Sequence, residues 1–341
     1  MFRPTSRILA LLASLALIPA LAGCGDEKVT GLGNKTLPSW DAATVEGDPG
    51  TAPTVTWKGE MSAVDETETK TLVEGDGATV EKGGKAWGYI WIGNGYTQKQ
   101  SYSDYDNGSA EELTADASSL SPVFEKLLTG AKIGSRVAAV TTGNEVFGSG
   151  GNPSLGVADT DPLLIVVDLV AEGIDKPTDV AADQLPKVVG KKGVVKRLDF
   201  TGLTEPEQYG PFLRTTLKEG TGVEVTADMT VKVNYLGSVF GAKKPFDESY
   251  SKGEPVEFPL SNVVKGWTYG LTGVKVGSRV VLQIPPLLGY GGQEQENIPA
   301  NSTLYFVVDV IDASVPAPTD SATPNATLSA TPEDTESTPA Q

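Results

Sequence analysis

A single pattern of residues occurs twice in this chain, in the same order and at nearly the same spacing. The second occurrence follows the first by 145, 143 and 141 residues at three separate segments. The matched segments are Thr71–Gly77 with Thr216–Gly222, Ile133–Val137 with Val276–Val280, and Ile165–Asp168 with Phe306–Asp309. One short match arises easily by chance, whereas three in register predict two copies of one folding unit. We expect the copies at residues 53–172 and 187–313, joined by a linker at 173–186.

The composition excludes several kinds of active site. Histidine is absent from the 341 residues, so imidazole acid–base catalysis, Ser-His-Asp triads and histidine metal sites are excluded. Cys24 is the only cysteine, which excludes disulfides within the chain and cysteine-bound zinc. The formal charge of −17 disfavours nucleic acid as a partner, because affinity for nucleic acid comes largely from Lys and Arg on phosphates. We therefore expect a function that needs no cofactor and no metal.

The N-terminus has the features of a targeting segment. Arg3 and Arg7 precede an apolar run from Ile8 to Ala22, which at 15 residues is short for a transmembrane helix. The run ends in Leu-Ala-Gly-Cys24, a tetrad that resembles the bacterial lipobox, in which the cysteine is lipidated. We expect a signal peptide at 1–23, lipidation of Cys24 and anchoring at the extracytoplasmic face of the cell membrane. The alternative is an ordinary secretory signal with a chance cysteine.

Two further segments lack the apolar content of a folded core. Residues 24–52 are rich in Gly, Thr, Pro and Asp and predict a flexible tether. Residues 314–341 are almost entirely Ser, Thr, Pro, Ala, Asp and Glu, and we predict that they form a disordered tail.

The second copy has the pattern of a mostly β structure with one short helix. Val231, Val233 and Tyr235 alternate with more polar residues, as in a strand with one buried face. Asn262 can cap a helix that begins at Val263 and ends near the glycines at 270 and 273. An α+β fold is expected, with a bent antiparallel β-sheet wrapped around one short α-helix.

A series of motifs in the second copy gives a more specific indication. In chain order they are Val231–Gly237, Phe246–Asp247, Val263–Trp267, Gly289–Gly291 and Ile298–Leu304. Jointly, in order and spacing, they resemble the FKBP-type peptidyl-prolyl cis-trans isomerases over about 100 residues. The resemblance implies two FKBP-like domains in this chain, the first of them degenerate. Taken singly, each of these side chains is an ordinary core or turn residue.

The resemblance also implies roles for the motif residues. Trp267 would be the floor on which a proline ring rests. The walls would be Tyr235, Phe246, Val263, Val264 and Phe306, with Val256 at a position where the family usually has a second aromatic residue. The Tyr290 hydroxyl and the Ile298 backbone N–H would hold substrate carbonyls. Asp247 would orient Tyr235 near the twisting amide, so that the catalytic candidates are Asp247, Tyr290 and Tyr235.

Such an apolar site fits the chemistry of prolyl isomerisation. The barrier of about 18–20 kcal/mol comes from amide resonance, which rotation breaks. The twisted amide is less polar than the planar one, so an apolar site favours it, and no covalent bond is broken. The expected function is isomerisation of Xaa-Pro bonds in unfolded or proline-containing exported polypeptides. By resemblance, the pocket would bind macrolide-type inhibitors, and the acidic loop at 293–296 would favour basic or neutral residues beside the proline.

The first copy keeps the strand pattern and loses the polar groups. Alignment of the copies places Ile90 opposite Tyr235, Phe124 opposite Trp267 and Phe147 opposite Tyr290. It places Tyr96–Lys99, which contains no acid, opposite Asp247. We therefore predict a similar fold with little or no isomerase activity in the first copy. For the whole chain, the alternative is a surface lipoprotein that binds clients or partners without catalysis.

Overall fold

The computed structural model describes residues 35–118, 120–191 and 193–315. The predicted signal peptide, Cys24 and the tail beyond Val315 lie outside these residues. None of the helices within the described ranges is long and apolar enough to cross a membrane.

The structure is rich in strands and has few helices. The strands are β1 Thr36–Leu37, β2 Ala43–Glu46, β3 Thr54–Trp57, β4 Glu60–Met61, β5 Glu68–Val73, β6 Lys85–Asn94, β7 Lys99–Ser103, β8 Glu111–Thr114, β9 Arg136–Thr142, β10 Pro162–Glu172, β11 Thr178–Asp179, β12 Lys187–Lys191, β13 Val194–Asp199, β14 Leu213–Lys218, β15 Thr230–Val239, β16 Asp247–Glu248, β17 Val256–Pro259, β18 Arg279–Ile284 and β19 Leu304–Ser314. The α-helices are α1 Pro122–Leu128, α2 Gly143–Phe147 and α3 Lys265–Leu271.

Two large sheets share one strand order. The first runs β5-β9-β10-β6-β7, with β8 also paired to β6. The second runs β14-β18-β19-β15-β16, with β17 also paired to β15 and the short β11 added in parallel beside β14. All other pairs in the two sheets are antiparallel. Helices α1 and α3 occupy the same place along the chain. Helix α1 lies between β8 and β9, and helix α3 lies between the equivalent strands β17 and β18.

Each sheet is covered on both faces. In the second half, Phe306 and Val308 of β19 lie in the core that contains Trp267 of α3. Their neighbours Tyr305 and Val307 lie in a separate core with residues of the β12–β13 hairpin, because successive strand residues point to opposite faces. The first half repeats this arrangement, with α1 on one face and the β2–β3 hairpin on the other.

This hairpin corrects the predicted limits of the first copy. The ordered chain begins before residue 53, since β2 and β3 pair between Ala43 and Trp57. Ala42 is buried and packs in one core with Met61 and Trp91. A segment that is polar on average can thus be ordered where a few apolar side chains, such as Trp57 and Val45, cover the outer face of a sheet. The predicted linker at 173–186 likewise contributes β11 to the second sheet.

Two smaller expectations about helices also change. Helix α3 begins at Lys265 with Val264 as its N-cap, and Asn262 lies instead in a preceding 3-10 turn, Leu260–Asn262. The first half has a second short helix, α2, whose N-cap Thr142 accepts a hydrogen bond from the backbone N–H of Glu145.

The same three-residue network occurs once in each half. Arg136 pairs with Asp168, and the hydroxyl of Tyr105 donates to the same carboxylate. In the second half, Arg279 pairs with Asp309 at 2.5 Å, and Tyr250 donates to that carboxylate at 2.9 Å. Arg136 also donates to the carbonyls of Glu46, Gly47, Asp48 and Thr51 in the turn of the β2–β3 hairpin, and Arg279 donates to the carbonyl of Gly193 in the turn of the β12–β13 hairpin. Each network therefore fastens a hairpin turn to its sheet.

Candidate active site

Trp267 lies at the centre of a cluster of aromatic rings. It is 4% exposed, and Tyr235, Phe258 and Phe306 meet it edge to face with ring centroids 5.5, 5.4 and 5.2 Å away. Phe246 meets Phe306 edge to face at 5.6 Å. Edge-to-face contacts are favourable because a positive ring edge faces a negative ring face. The indole is thus held in one orientation by rings from three strands.

The structure brings the sequence-predicted side chains into one cluster. Tyr235, Trp267, Ile298 and Phe306 are buried in it, and half-buried residues pack against them. The half-buried members among the predicted residues are Phe246, Val256, Val263, Val264 and Tyr290. Asp247 is exposed beside them at the start of β16.

Gly237 allows the rings to approach the sheet. A Cβ built at this position would lie 2.6 Å from ring atoms of both Phe246 and Phe306. Real Cβ atoms do not come this close to their neighbours, so a larger residue at position 237 would displace both rings. The glycine of the Val231–Gly237 motif is therefore required by packing.

Tyr235 and Asp247 form the polar edge of the cluster. The hydroxyl of Tyr235 donates a hydrogen bond to Asp247 Oδ2. The backbone N–H of Glu248 donates to Asp247 Oδ1 at 2.8 Å, and Lys252 Nζ lies 3.5 Å from the same oxygen. Burial raises the pKa of Tyr235, and the hydrogen bond to Asp247 raises it further. The phenol is therefore protonated at neutral pH and holds the carboxylate at the mouth of the cluster.

Tyr290 offers a second hydroxyl. Burial raises its pKa, and the charge of Asp247 adds to this effect, so it is also neutral at pH 7. Glycines at 289 and 291 flank it, and Gly291 has φ +56°, a conformation that L side chains rarely adopt. The turn that presents Tyr290 thus depends on glycine.

The backbone N–H group that is free to bind a substrate carbonyl is that of Val264, and not that of Ile298 as expected from the sequence. The N–H of Ile298 already donates to the carbonyl of Gln295 at 3.0 Å, so it would have to give up this bond to hold a substrate carbonyl. The N–H of Val264, at the N-cap of α3, has no acceptor among the described residues. Val264 therefore offers a free donor next to the tryptophan, in addition to its apolar side chain.

Phe258 belongs to the site and was missed by the sequence reasoning. It lies on β17 two residues after Val256 and contacts both Tyr235, at 5.5 Å, and Trp267. The signal that could have found it is the period of two along a strand, which places residues 256 and 258 on one face.

The corresponding region of the first half has a different polar pair, since Tyr102 donates a hydrogen bond to the buried Asp104, which also accepts one from the N–H of Ile90. Helix α1 places Phe124, 2% exposed, where α3 places Trp267, and the core around it is aliphatic apart from Tyr102 and Phe147. The register of β7 on β6 shows that Tyr102, paired with Ile92, takes the place of Asp247, which is paired with Gly237. The expectation that Tyr96–Lys99 lies opposite Asp247 was therefore wrong by several residues, since Ile92 to Tyr102 and Gly237 to Asp247 are both ten residues and keep the 145-residue offset of Ile90 and Tyr235.

Comparison with known proteins agrees with this geometry. Residues 222–311 match the family model described as FKBP-type peptidyl-prolyl cis-trans isomerase. This segment of the chain is therefore similar to FKBP-type domains.

Similar proteins cover the same part of the chain. FkpA, an FKBP-type peptidyl-prolyl cis-trans isomerase of Escherichia coli strain K12, is 44% identical over 102 residues, which are 30% of this chain and 37% of that protein. A probable FKBP-type isomerase of Haemophilus influenzae is 47% identical over 96 residues, 28% of this chain and 39% of that protein. The crystal structure of E. coli FkpA matches at 40% identity with a TM-score of 0.30, over 31% of this chain and 49% of that one. The chain thus spans less than half the length of these relatives.

Proposed function

We propose that the FKBP-type half of this chain catalyses cis-trans isomerisation of Xaa-Pro bonds in polypeptides. The observation that carries the proposal is the buried indole of Trp267, framed by three edge-on rings and bordered by the Tyr235–Asp247 hydrogen bond. The family match over residues 222–311 supports it independently.

The site residues suggest how the reaction proceeds. A proline ring rests on Trp267, and the surrounding rings exclude water from the amide. Exclusion of water favours the twisted amide, since it is less polar than the planar form. The N–H of Val264 and the hydroxyl of Tyr290 hold substrate carbonyls and keep the flanking residues in a turn. Asp247, fixed by Tyr235, lies beside the carbonyl that rotates.

The rest of the functional assignment is part of the same proposal. Both halves form FKBP-like domains, and the first has lost the polar groups of the pocket. The chain is anchored through a lipid on Cys24 at the outer face of a bacterial membrane, and its substrates are exported polypeptides that fold there. The Leu-Ala-Gly-Cys sequence after an apolar run supports the anchor.

The test is NMR exchange spectroscopy on a short, neutral prolyl peptide with catalytic amounts of the full chain. We expect faster cis-trans exchange, and inhibition of it by a macrolide ligand of FKBP domains. Binding of the peptide without faster exchange would favour the alternative function, a module that holds clients without catalysis. A chain that neither binds the peptide nor accelerates exchange would contradict both functions.

A further inference from the structure

The first half contacts the loop that carries two of the predicted site residues. We define the rim loop as residues 289–300, which include Tyr290 and Ile298, and the contact loop as residues 104–110 of the first half. Gln293 Nε2 of the rim loop donates a hydrogen bond to the carbonyl of Asn107 at 2.7 Å. Asn107 and Gln293 are 186 residues apart in sequence, so this contact joins the two halves.

The backbones of the two loops touch where both have glycine. A Cβ built at Gly292 would lie 2.1 Å from the carbonyl oxygen of Gly108, and one at Gly291 would lie 2.8 Å from Ser109 Oγ. Any side chain at position 292 would therefore push the loops apart. The glycine at 292 does not have a positive φ, so its role is this close approach and not an unusual backbone conformation.

A second contact reaches the start of helix α3. Glu112, on β8 of the first half, accepts hydrogen bonds from Lys85 at 2.6 Å and from Lys265 at 2.5 Å. Lys265 is the first residue of α3, and its Nζ also lies 4.7 Å from the ring centre of Trp87. Both ends of the site, the Val264 N-cap and the Tyr290 loop, are thus joined to the first half.

Apolar packing continues between these polar contacts. Trp87, Tyr89 and Ala110 of the first half are buried in the same core as Trp267 and Tyr235. Tyr89 stacks on Tyr105 of the contact loop, with ring centroids 4.4 Å apart. A continuous core resists sliding of one half over the other, because close-packed side chains transmit displacement.

We infer that the first half is a positioning element for the active site of the second, and that the contact loop holds the rim loop in the conformation that binds substrate. This inference rests on the isomerase function proposed above. A loop that is already ordered loses less entropy when it binds a ligand. If the contact were lost and the binding conformation fell to about a tenth of the population, the apparent dissociation constant would rise about tenfold with little change in kcat.

The experiment uses the full chain and three variants. Gln293→Ala removes the hydrogen bond to Asn107, and Gly292→Ala inserts a methyl group against Gly108. The control is Gln184→Ala, the same substitution at an exposed glutamine of the segment between the halves. KM and kcat are measured for a neutral prolyl peptide, and hydrogen exchange is measured at the rim-loop amides.

We expect KM to rise about three- to tenfold in Gln293→Ala and Gly292→Ala, with kcat within about twofold and the rim-loop amides exchanging faster. Gln184→Ala should have the same KM, kcat and rim-loop amide exchange as the wild-type chain. Unchanged KM and unchanged exchange in both rim-loop variants would overturn the inference, as would a fall in kcat alone.

The proposed function and this inference fail differently. If the wild-type chain does not accelerate isomerisation, the proposed function fails. The variants are then compared by the dissociation constant of the same peptide instead of by KM. Weaker peptide binding together with faster rim-loop exchange in the two variants would then still support positioning by the first half. Equal binding and equal exchange in all variants would overturn it.

Discussion

The hydroxyl of Tyr235 and the carboxylate of Asp247 are joined by a hydrogen bond at the mouth of an otherwise apolar cluster. Asp247 is on an exposed two-residue strand, and this bond and the N–H of Glu248 fix its orientation. The pair therefore places a negative charge of fixed orientation at the edge of the cluster, near the half-buried hydroxyl of Tyr290.

Removal of these polar groups should slow the reaction without unfolding the chain. Tyr290→Phe deletes one hydrogen bond to substrate, which is about 1 kcal/mol or roughly fivefold in kcat/KM. Asp247→Val should reduce kcat/KM at least as much, since it removes the charge that the proposed mechanism places beside the rotating carbonyl. Both are measured by peptide exchange, with circular dichroism as the control for folding. Unchanged rates in both variants would show that these residues do not have the assigned roles.

Trp267 and Phe124 allow a matched comparison of the two halves. Each is buried on the short helix of its half, and replacement by alanine should cost about 3–5 kcal/mol of unfolding free energy in either case. The milder Trp267→Leu and Phe124→Leu should keep the fold, and only the former should abolish most of the isomerase activity. Equal losses of activity would show that the first half has a functional pocket of its own.

Catalysis should be nearly independent of pH between about 6 and 9. The chain has no histidine, and burial raises the pKa of Tyr235 and of Tyr290, so both phenols stay protonated over this range. Their ionisation would lower activity only at higher pH. The measurement is kcat/KM of the full chain in a series of buffers. A bell-shaped profile within this range would contradict a mechanism without proton transfer.

Asp104 of the first half should make stability depend on pH. Burial raises its pKa to about 7, although the hydrogen bonds from the Tyr102 hydroxyl and the Ile90 N–H lower the pKa. A carboxyl group with an unfolded pKa of about 3.9 then binds its proton more tightly in the folded state. Its contribution to the unfolding free energy is greatest below pH 4 and declines as pH rises from about 4 to about 7.

Asp104→Asn should therefore remove part of this decline. The unfolding free energy of the variant, relative to that of the wild-type chain, should be higher at pH 8 than at pH 5. Urea denaturation at both pH values checks the difference. Asp106→Asn, an exposed neighbour, is the control and should leave the pH dependence unchanged. Parallel curves for Asp104→Asn and the unchanged chain would show that Asp104 titrates normally.

The two arginine networks should differ in strength. Arg136 and Asp168 are each 1% exposed, whereas the side chains of Arg279 and Asp309 are 26% and 19% exposed. Arg136→Met leaves the buried charge of Asp168 without its cation and removes hydrogen bonds to four hairpin carbonyls, which should cost about 3–5 kcal/mol of unfolding free energy. Arg279→Met should cost less, because water can reach Asp309. Chemical denaturation of both variants measures this, and a larger loss for Arg279→Met would contradict the argument.

The aromatic cluster could be predicted from the sequence because most of its side chains lie in short motifs whose order and spacing are visible in the sequence. Phe258 was missed because it falls outside those motifs, although it shares a strand face with Val256. The equivalence of Tyr102 and Asp247 was missed although both lie ten residues after the strand residue with which they pair, because the segments between them share no motif. Strand pairing fixes this register, because Tyr102 pairs with Ile92 as Asp247 pairs with Gly237.

Other features depend on contacts that no local pattern reveals. The β2–β3 hairpin is mostly polar, and its order comes from a few side chains such as Trp57 against Trp91 and from Arg136 at its turn. The contact between Gln293 and Asn107 joins two polar loops, each of which reads as solvated surface by itself. Sequence reasoning assigns such residues to solvent unless a partner is known.

The arginine networks lie on the hairpin face of each sheet, and the aromatic cluster lies on the helix face. In β19, for example, Asp309 points away from the side on which Phe306 and Val308 lie in one core with Trp267. The residues that order the hairpin of each half are thus different from the residues of the proposed site. Substitutions in the side chains of the helix face could therefore change the site of one half and leave the arginine network that orders its hairpin in place.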